Sequence, residues 1–173
     1  MASLQDRMMR AAKLDANLYE EVEADQSAMG QAITVVVIAS VAAGIGQIGH
    51  TGVSGIIGGT IAALIGWFIW ALVTYLVGTK MLPEAQTSAD LGELLRTIGF
   101  ASSPGIIRVL GIIPGLYWLT ALVGGVWMLV AMVIAVRQAL DYNGTGRAIA
   151  VCVIGWLLQT LVMIILLGIF GLR

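Results

Sequence analysis

The sequence predicts an all-α polytopic membrane protein with five transmembrane helices. An amphipathic helix precedes them, and a short interfacial helix leads into the third. Three observations carry this. Hydrophobic residues make up 59% of the 173-residue chain and charged residues 11%, well outside the range of soluble domains. The charges are segregated, with none between Asp25 and Lys80 and only Arg108 between Arg96 and Arg137. Finally, a proline-bracketed apolar stretch, Ser103 to Pro114, sits in the middle of the chain with Arg108 inside it. A net charge of −1 without a basic patch excludes a nucleic-acid partner. The single cysteine, Cys152, lies in an apolar run, which excludes an intrachain disulfide and a cysteine metal site.

Residues 1–28 form a cytoplasmic segment and residues 29–173 the transmembrane domain. From 3 to 24 the chain reads as one amphipathic helix, with Leu4, Met8, Ala11, Leu18 and Val22 on one stripe. It is basic first (Arg7, Arg10, Lys13) and acidic later (Glu20, Glu21, Glu23, Asp25). Two roles fit: a face for the membrane surface or a partner, through Arg7, Arg10, Lys13, Glu20 and Glu21, or a solvated cap on the protein's own cytoplasmic side. The acidic run is read as solvated, not as a metal site. Because the first twenty-five residues are polar, the first apolar span is expected to be a retained anchor.

Span one covers about Gln31 to Ile48, close to the minimum for a ~30 Å core. A short uncharged connection follows, holding His50, the only histidine, read as a solvated side chain. Span two, about Gly55 to Gly78, carries two rows of small residues: Gly55, Gly59 and Ala63, and Gly58, Ala62 and Gly66. Such rows let helices approach closely in lipid and mark packing or self-assembly. Trp67 and Trp70 fall near mid-span and are expected to face other helices. In the polar connection from Thr79, Thr87-Ser-Ala-Asp90 has capping-box spacing, which predicts an interfacial helix with Leu91, Leu94, Leu95 and Ile98 inward and Asp90, Glu93 and Arg96 more polar.

Span three, about Ile98 to Ile113, is too short to cross as a straight α-helix. Pro104 and Pro114 are its hinges, with breaks at Ser103 and Ile113. Span four covers about Leu116 to Val136, followed by Arg137 and Asp141 at the spacing of a surface ion pair. Span five, about Ala148 to Phe170, contains Gln159. With the N-terminus cytoplasmic, every lysine and arginine outside the membrane lies on the cytoplasmic side except Arg173, which orients the chain N-in and C-out.

Several segments together resemble proteins of the bacterial Yip1 family. They are Leu18-Tyr-Glu-Glu-Val-Glu-Ala-Asp25, Gly66-Trp67, Asp90-Leu-Gly-Glu-Leu-Leu-Arg96, Gly99-Phe-Ala-Ser-Ser-Pro104 and Ala135-Val-Arg-Gln-Ala-Leu-Asp141. The resemblance runs from about Tyr19 to Arg173, with Gly99, Phe100 and Pro104 its best single element. It implies a five-helix bundle with a cytoplasmic N-terminus, in the inner membrane, without an assigned biochemical activity. Eukaryotic members are linked to Rab GTPases through a long N-terminal region and an Asp-Leu-Tyr-Gly-Pro-like motif that this chain lacks, so that binding is not carried over.

No catalytic spacing is present and no cofactor is expected. A lone cation costs at least ~2.5–3.5 kcal/mol at the membrane centre, so Arg108 requires a partner, a wet cavity or an escape to the interface. It is read as a snorkelling side chain or one tying down carbonyls freed by the prolines, as an anion or lipid-headgroup contact with Ser102, Ser103 and Gln159 as polar neighbours, or as a contact to another chain. Two functions follow: a non-enzymatic scaffold or adaptor organising membrane proteins or lipids, possible as a homo-oligomer, or a small channel or transporter with its path at Pro104–Pro114. An accessory subunit of a larger complex is a variant of the first.

Overall fold

The computed structural model describes residues 2–170. Among them the chain forms seven α-helices and no strand, as the composition requires. Arg173, used above for orientation, lies outside the described residues.

The N-terminal periodicity resolves into two helices, α1 (Leu4–Ala12) and α2 (Ala16–Ala24), where the sequence predicts one. Leu14 takes a φ of 62°, and the Asp15 carboxylate accepts the Asn17 N–H at 3.1 Å as the new N-cap. The apolar stripe continues across this break because both helices pack on the same surface. Ala11, Leu18, Tyr19 and Val22 join Ala32, Val35, Phe100, Ala101, Ala131 and Ala135 in one core, so the N-terminal helices share a core with the bundle.

A 3₁₀ turn (Gln26–Ala28) leads into α3 (Met29–Gly46), which turns Ala32, Val35, Val36, Ala39 and Ala42 inward. Next comes α4 (Ile48–Leu76), broken one turn from its start at Gly52, whose φ of 66° is the left-handed region that glycine tolerates. A π-helical turn (Val77–Met81) ends it. As expected, Trp67 and Trp70 face neighbouring helices, with their indole N–H groups donating to the Leu95 carbonyl at 3.1 Å and the Met132 sulfur at 3.2 Å.

In α5 (Leu91–Ala101) the reciprocal cap is formed by Asp90 and Glu93, not Thr87 and Asp90. Thr87 instead accepts the Glu84 N–H. Leu94 and every residue from Arg96 to Ala101 are buried, because the Arg96 guanidinium satisfies the carbonyls of Val22 and Glu23 at the C-terminus of α2. A 3₁₀ segment (Ser103–Ile112) continues the path, with Pro104 in its first turn, where a missing N–H costs nothing. At about 2.0 Å per residue, 3₁₀ winding stretches these ten residues to ~20 Å, and α5 adds ~16 Å. Ile113 is extended, the break expected before Pro114.

α6 (Tyr117–Ala139) and α7 (Thr145–Phe170) complete the bundle. The expected Arg137–Asp141 pair is absent: Arg137 donates to the carbonyls of Tyr142 and Asn143, and Asp141, at a φ of 52°, accepts from the Ser88 N–H. Among the described residues three helical stretches are long and apolar enough to cross a membrane: Gln26–Gly46, Ile48–Met81 and Tyr117–Ala139.

Candidate functional site

Six parts of the chain line an open cavity of about 420 Å³ that has Arg108 in its wall. α3 contributes Val36, Ala39, Ser40 and Ala43, continued by Gln47; α4 contributes Gly59, Ala63, Gly66, Trp67 and Trp70. Ile98, Ser102, Met128, Met132 and Gln159 close it from α5, α6 and α7. A smaller cavity of about 250 Å³, with Tyr117, Thr120 and Ala121 in its wall, also borders Arg108 and shares Ala43 and Gln47 with the first. The arginine thus borders both spaces.

Close approach of small residues puts it there. A Cβ on Gly46 would overlap the Arg108 carbonyl oxygen, so the end of α3 and the 3₁₀ segment touch backbone to backbone. The side chain then lies across the Gly124–Gly125 face of α6. A Cβ on Gly124 would stand 3.0 Å from Arg108 Cγ and 3.3 Å from Nε, and one on Gly125 3.6 Å from Nη2. Arg108 is half-buried, and its Nε is buried with no hydrogen-bond partner. Among the described residues no ion pair reaches it, while Arg7, Arg10 and Arg147 all have carboxylate partners.

Of the polar residues expected near Arg108, the structure brings Ser102 and Gln159 to the same cavity. Ser103 is separate. It is buried, its hydroxyl lacks a partner, and it faces a depression under α1 lined by Leu4, Met8 and Trp127. Gln47 and Ser40 belong to the cavity and were not singled out from sequence. Gln47 sits at the end of an apolar run and reads there as the start of a loop; only its place one helical repeat from Ala43 hints at an inward side chain. The connection histidine, His50, is exposed and stacks on Tyr117 with ring centroids 4.8 Å apart.

The two small-residue rows of α4 part company. Gly59, Ala63 and Gly66 line the cavity, Gly66 opposite Gln159. Gly58 and Ala62 are exposed beside Ile61, Ile65 and Phe68 on the outer face. Gly55 abuts the Thr51 side chain of its own helix.

The N-terminal charges are largely engaged with one another. Arg7 is buried and donates to Glu21 at 3.0 Å, Asp25 at 2.7 Å and the Gln31 side chain at 3.0 Å. Arg10 bridges Asp15 at 2.8 Å and Glu21 at 2.6 Å. The guanidinium groups hold Glu21 and Asp15 below the usual carboxylate range, and Ser27 with Arg7 brings Asp25 down to about 2. Glu20 accepts from Gln138 of α6 at 2.7 Å, and Lys13 is exposed.

Comparison with known proteins decides the family. The Yip1 domain matches residues 17–167. The chain belongs to the Yip1 family. The match spans α2 through most of α7, hence the whole cavity and every element that carries the resemblance noted in the sequence. No curated protein and no solved structure matches the chain.

Proposed function

We propose that this Yip1-family membrane protein is a non-enzymatic scaffold or adaptor that organises membrane proteins or lipids, assembling with copies of itself along α4. The exposure of α4 carries the reading. Of its most apolar stretch only 6% is buried, against 39% for the stretch containing α3 and 28% for α6. Within α4 only Ala71 and Thr74 are buried, and Gly58 and Ala62 give the open face the small side chains that let two helices approach in lipid.

In this reading the chain crosses the inner membrane five times, N-terminus cytoplasmic and C-terminus outside. The tandem of α5 and the 3₁₀ segment makes the third crossing, and α7 the fifth. The gathering of ion pairs at one end of the bundle supports it: Arg7–Asp25 and Arg147–Glu84 lie at that end, and the opposite connections, Gln47–Gly52 and Ile113–Leu116, hold no formal charge.

Native mass spectrometry of protein extracted in mild detergent tests assembly. The wild type should appear as one defined homo-oligomer and Gly58→Leu as a smaller species. A monomer for both would overturn self-assembly.

The two cavities that Arg108 borders favour a second reading, an anion channel or transporter passing the broken segment at Pro104–Pro114. Anion flux in liposomes that Arg108→Leu abolishes would support it; flux unchanged by that substitution would remove it.

A further inference from the structure

We propose that the Arg108 cavity is a binding site for one phosphate-bearing lipid, with the phosphate oxyanion on the guanidinium and an acyl chain along the apolar walls toward Trp70 and Ile98. A guanidinium carries five N–H donors and no acceptor, and in an apolar bundle each unpaired donor keeps its desolvation penalty. Here the Arg108 side chain borders the cavity with its Nε buried against Gly124, and among the described residues no carboxylate pairs with the group. The neutral side chains sharing the space, Gln47, Ser102 and Gln159, can add hydrogen bonds to an oxyanion but cannot replace its charge.

The shape of the site selects an amphiphile. Gln47, at the C-terminus of α3, and Arg108 border both cavities and make one part of the wall polar. Trp67, Trp70, Ile98 and Met132 make the rest of its wall apolar, offering an acyl chain a contact surface and a free phosphate nothing. The bare Gly124–Gly125 surface keeps the guanidinium flat against α6 instead of filling the cavity. At about 420 Å³ the space falls within the range of small-ligand sites. The site lies within one chain, so it stands whether or not the protein self-assembles.

The test is native mass spectrometry of delipidated full-length protein titrated separately with phosphatidylglycerol, diacylglycerol and inorganic phosphate. The wild type should retain one phosphatidylglycerol per chain, binding it roughly ten- to a hundred-fold more tightly than Arg108→Gln does, the loss expected for a charge-assisted hydrogen-bonded pair. Diacylglycerol should not distinguish the two. Ala63→Phe, which keeps the arginine and fills the chain end, should also lose the lipid; this covers the case in which Arg108→Gln does not fold. Equal phosphatidylglycerol affinity in wild type and both variants would overturn the site. Inorganic phosphate binding as tightly as phosphatidylglycerol, and undisturbed by Ala63→Phe, would overturn the lipid and leave a free-anion site.

Discussion

The Arg7 guanidinium meets the Asp25 carboxylate at 2.7 Å and ties the first helix of the chain to the entry of α3. Eighteen positions separate the two, and Glu21 and Gln31 complete the set of acceptors around a side chain only 4% exposed. This clamp accounts for charges that in sequence read equally well as a surface for a partner. Arg7→Gln should destabilise the protein by about 1–3 kcal/mol, the range for hydrogen bonds to charged groups. Thermal unfolding in mild detergent, followed by tryptophan fluorescence, measures it. Arg7→Lys, with fewer donors, should recover only part of the loss.

Trp127 fixes the other end of α1, its indole N–H donating to the Ala12 carbonyl at 2.9 Å. Trp127→Phe removes that donor and little else, at a cost of about 1 kcal/mol. Hydrogen exchange should then rise selectively over residues 4–12, and uniform protection along the chain would contradict this anchoring role.

At the polar end of the bundle, Glu23 faces a cup with Glu20 of α2, Glu93 of α5 and Arg137 and Asp141 at the end of α6. Burial, and then repulsion by Asp141, Glu93 and Glu20, raises its carboxyl from an ordinary 4.5 to about 7, with Arg96 opposing. Between those values the folded protein holds a proton that the unfolded chain has released. Its stabilising contribution is therefore complete below pH 4.5 and is lost as the pH rises through about 7. Asp15, Glu21 and Asp25, shifted downward, act in the opposite sense and weaken the fold as the pH falls through the acid range. Melting temperatures measured from pH 5 to pH 8 should decline across the upper limb, and Glu23→Gln should flatten it.

Backbone contact between α3 and the 3₁₀ segment makes Gly46 indispensable, since any Cβ there meets the Arg108 carbonyl oxygen. Gly46→Ala should cost about 1–3 kcal/mol through forced separation of the two elements, again read from thermal unfolding.

Much of this was legible in the chain. Spans one, two and four follow from uninterrupted apolar runs, and Arg108 stood out because no other charge lies near it in sequence. Arg108 lines the cavity, and its neighbours there were only partly readable. Ser102 and Ser103 are adjacent and chemically identical, yet consecutive residues of a helix diverge by about 100°, and the two line different cavities. Likewise the break at Leu14 leaves the apolar stripe intact, so periodicity ran straight through it. Arg96 misled for a different reason. Its charge suggested an exposed face, whereas its partners are backbone carbonyls of α2, seventy-odd positions away and invisible to any pattern of side chains.

Assembly along α4 is tested most directly by disulfide formation in native membranes, using single cysteines placed on that helix in a Cys152→Ser background. Gly58→Cys and Ala62→Cys, on the exposed face, should yield covalent dimers on mild oxidation. Gly66→Cys, turned toward Gln159 inside the bundle, should not. No dimer at positions 58 and 62, or equal dimerisation at position 66, would contradict an interface between copies on the open face of α4.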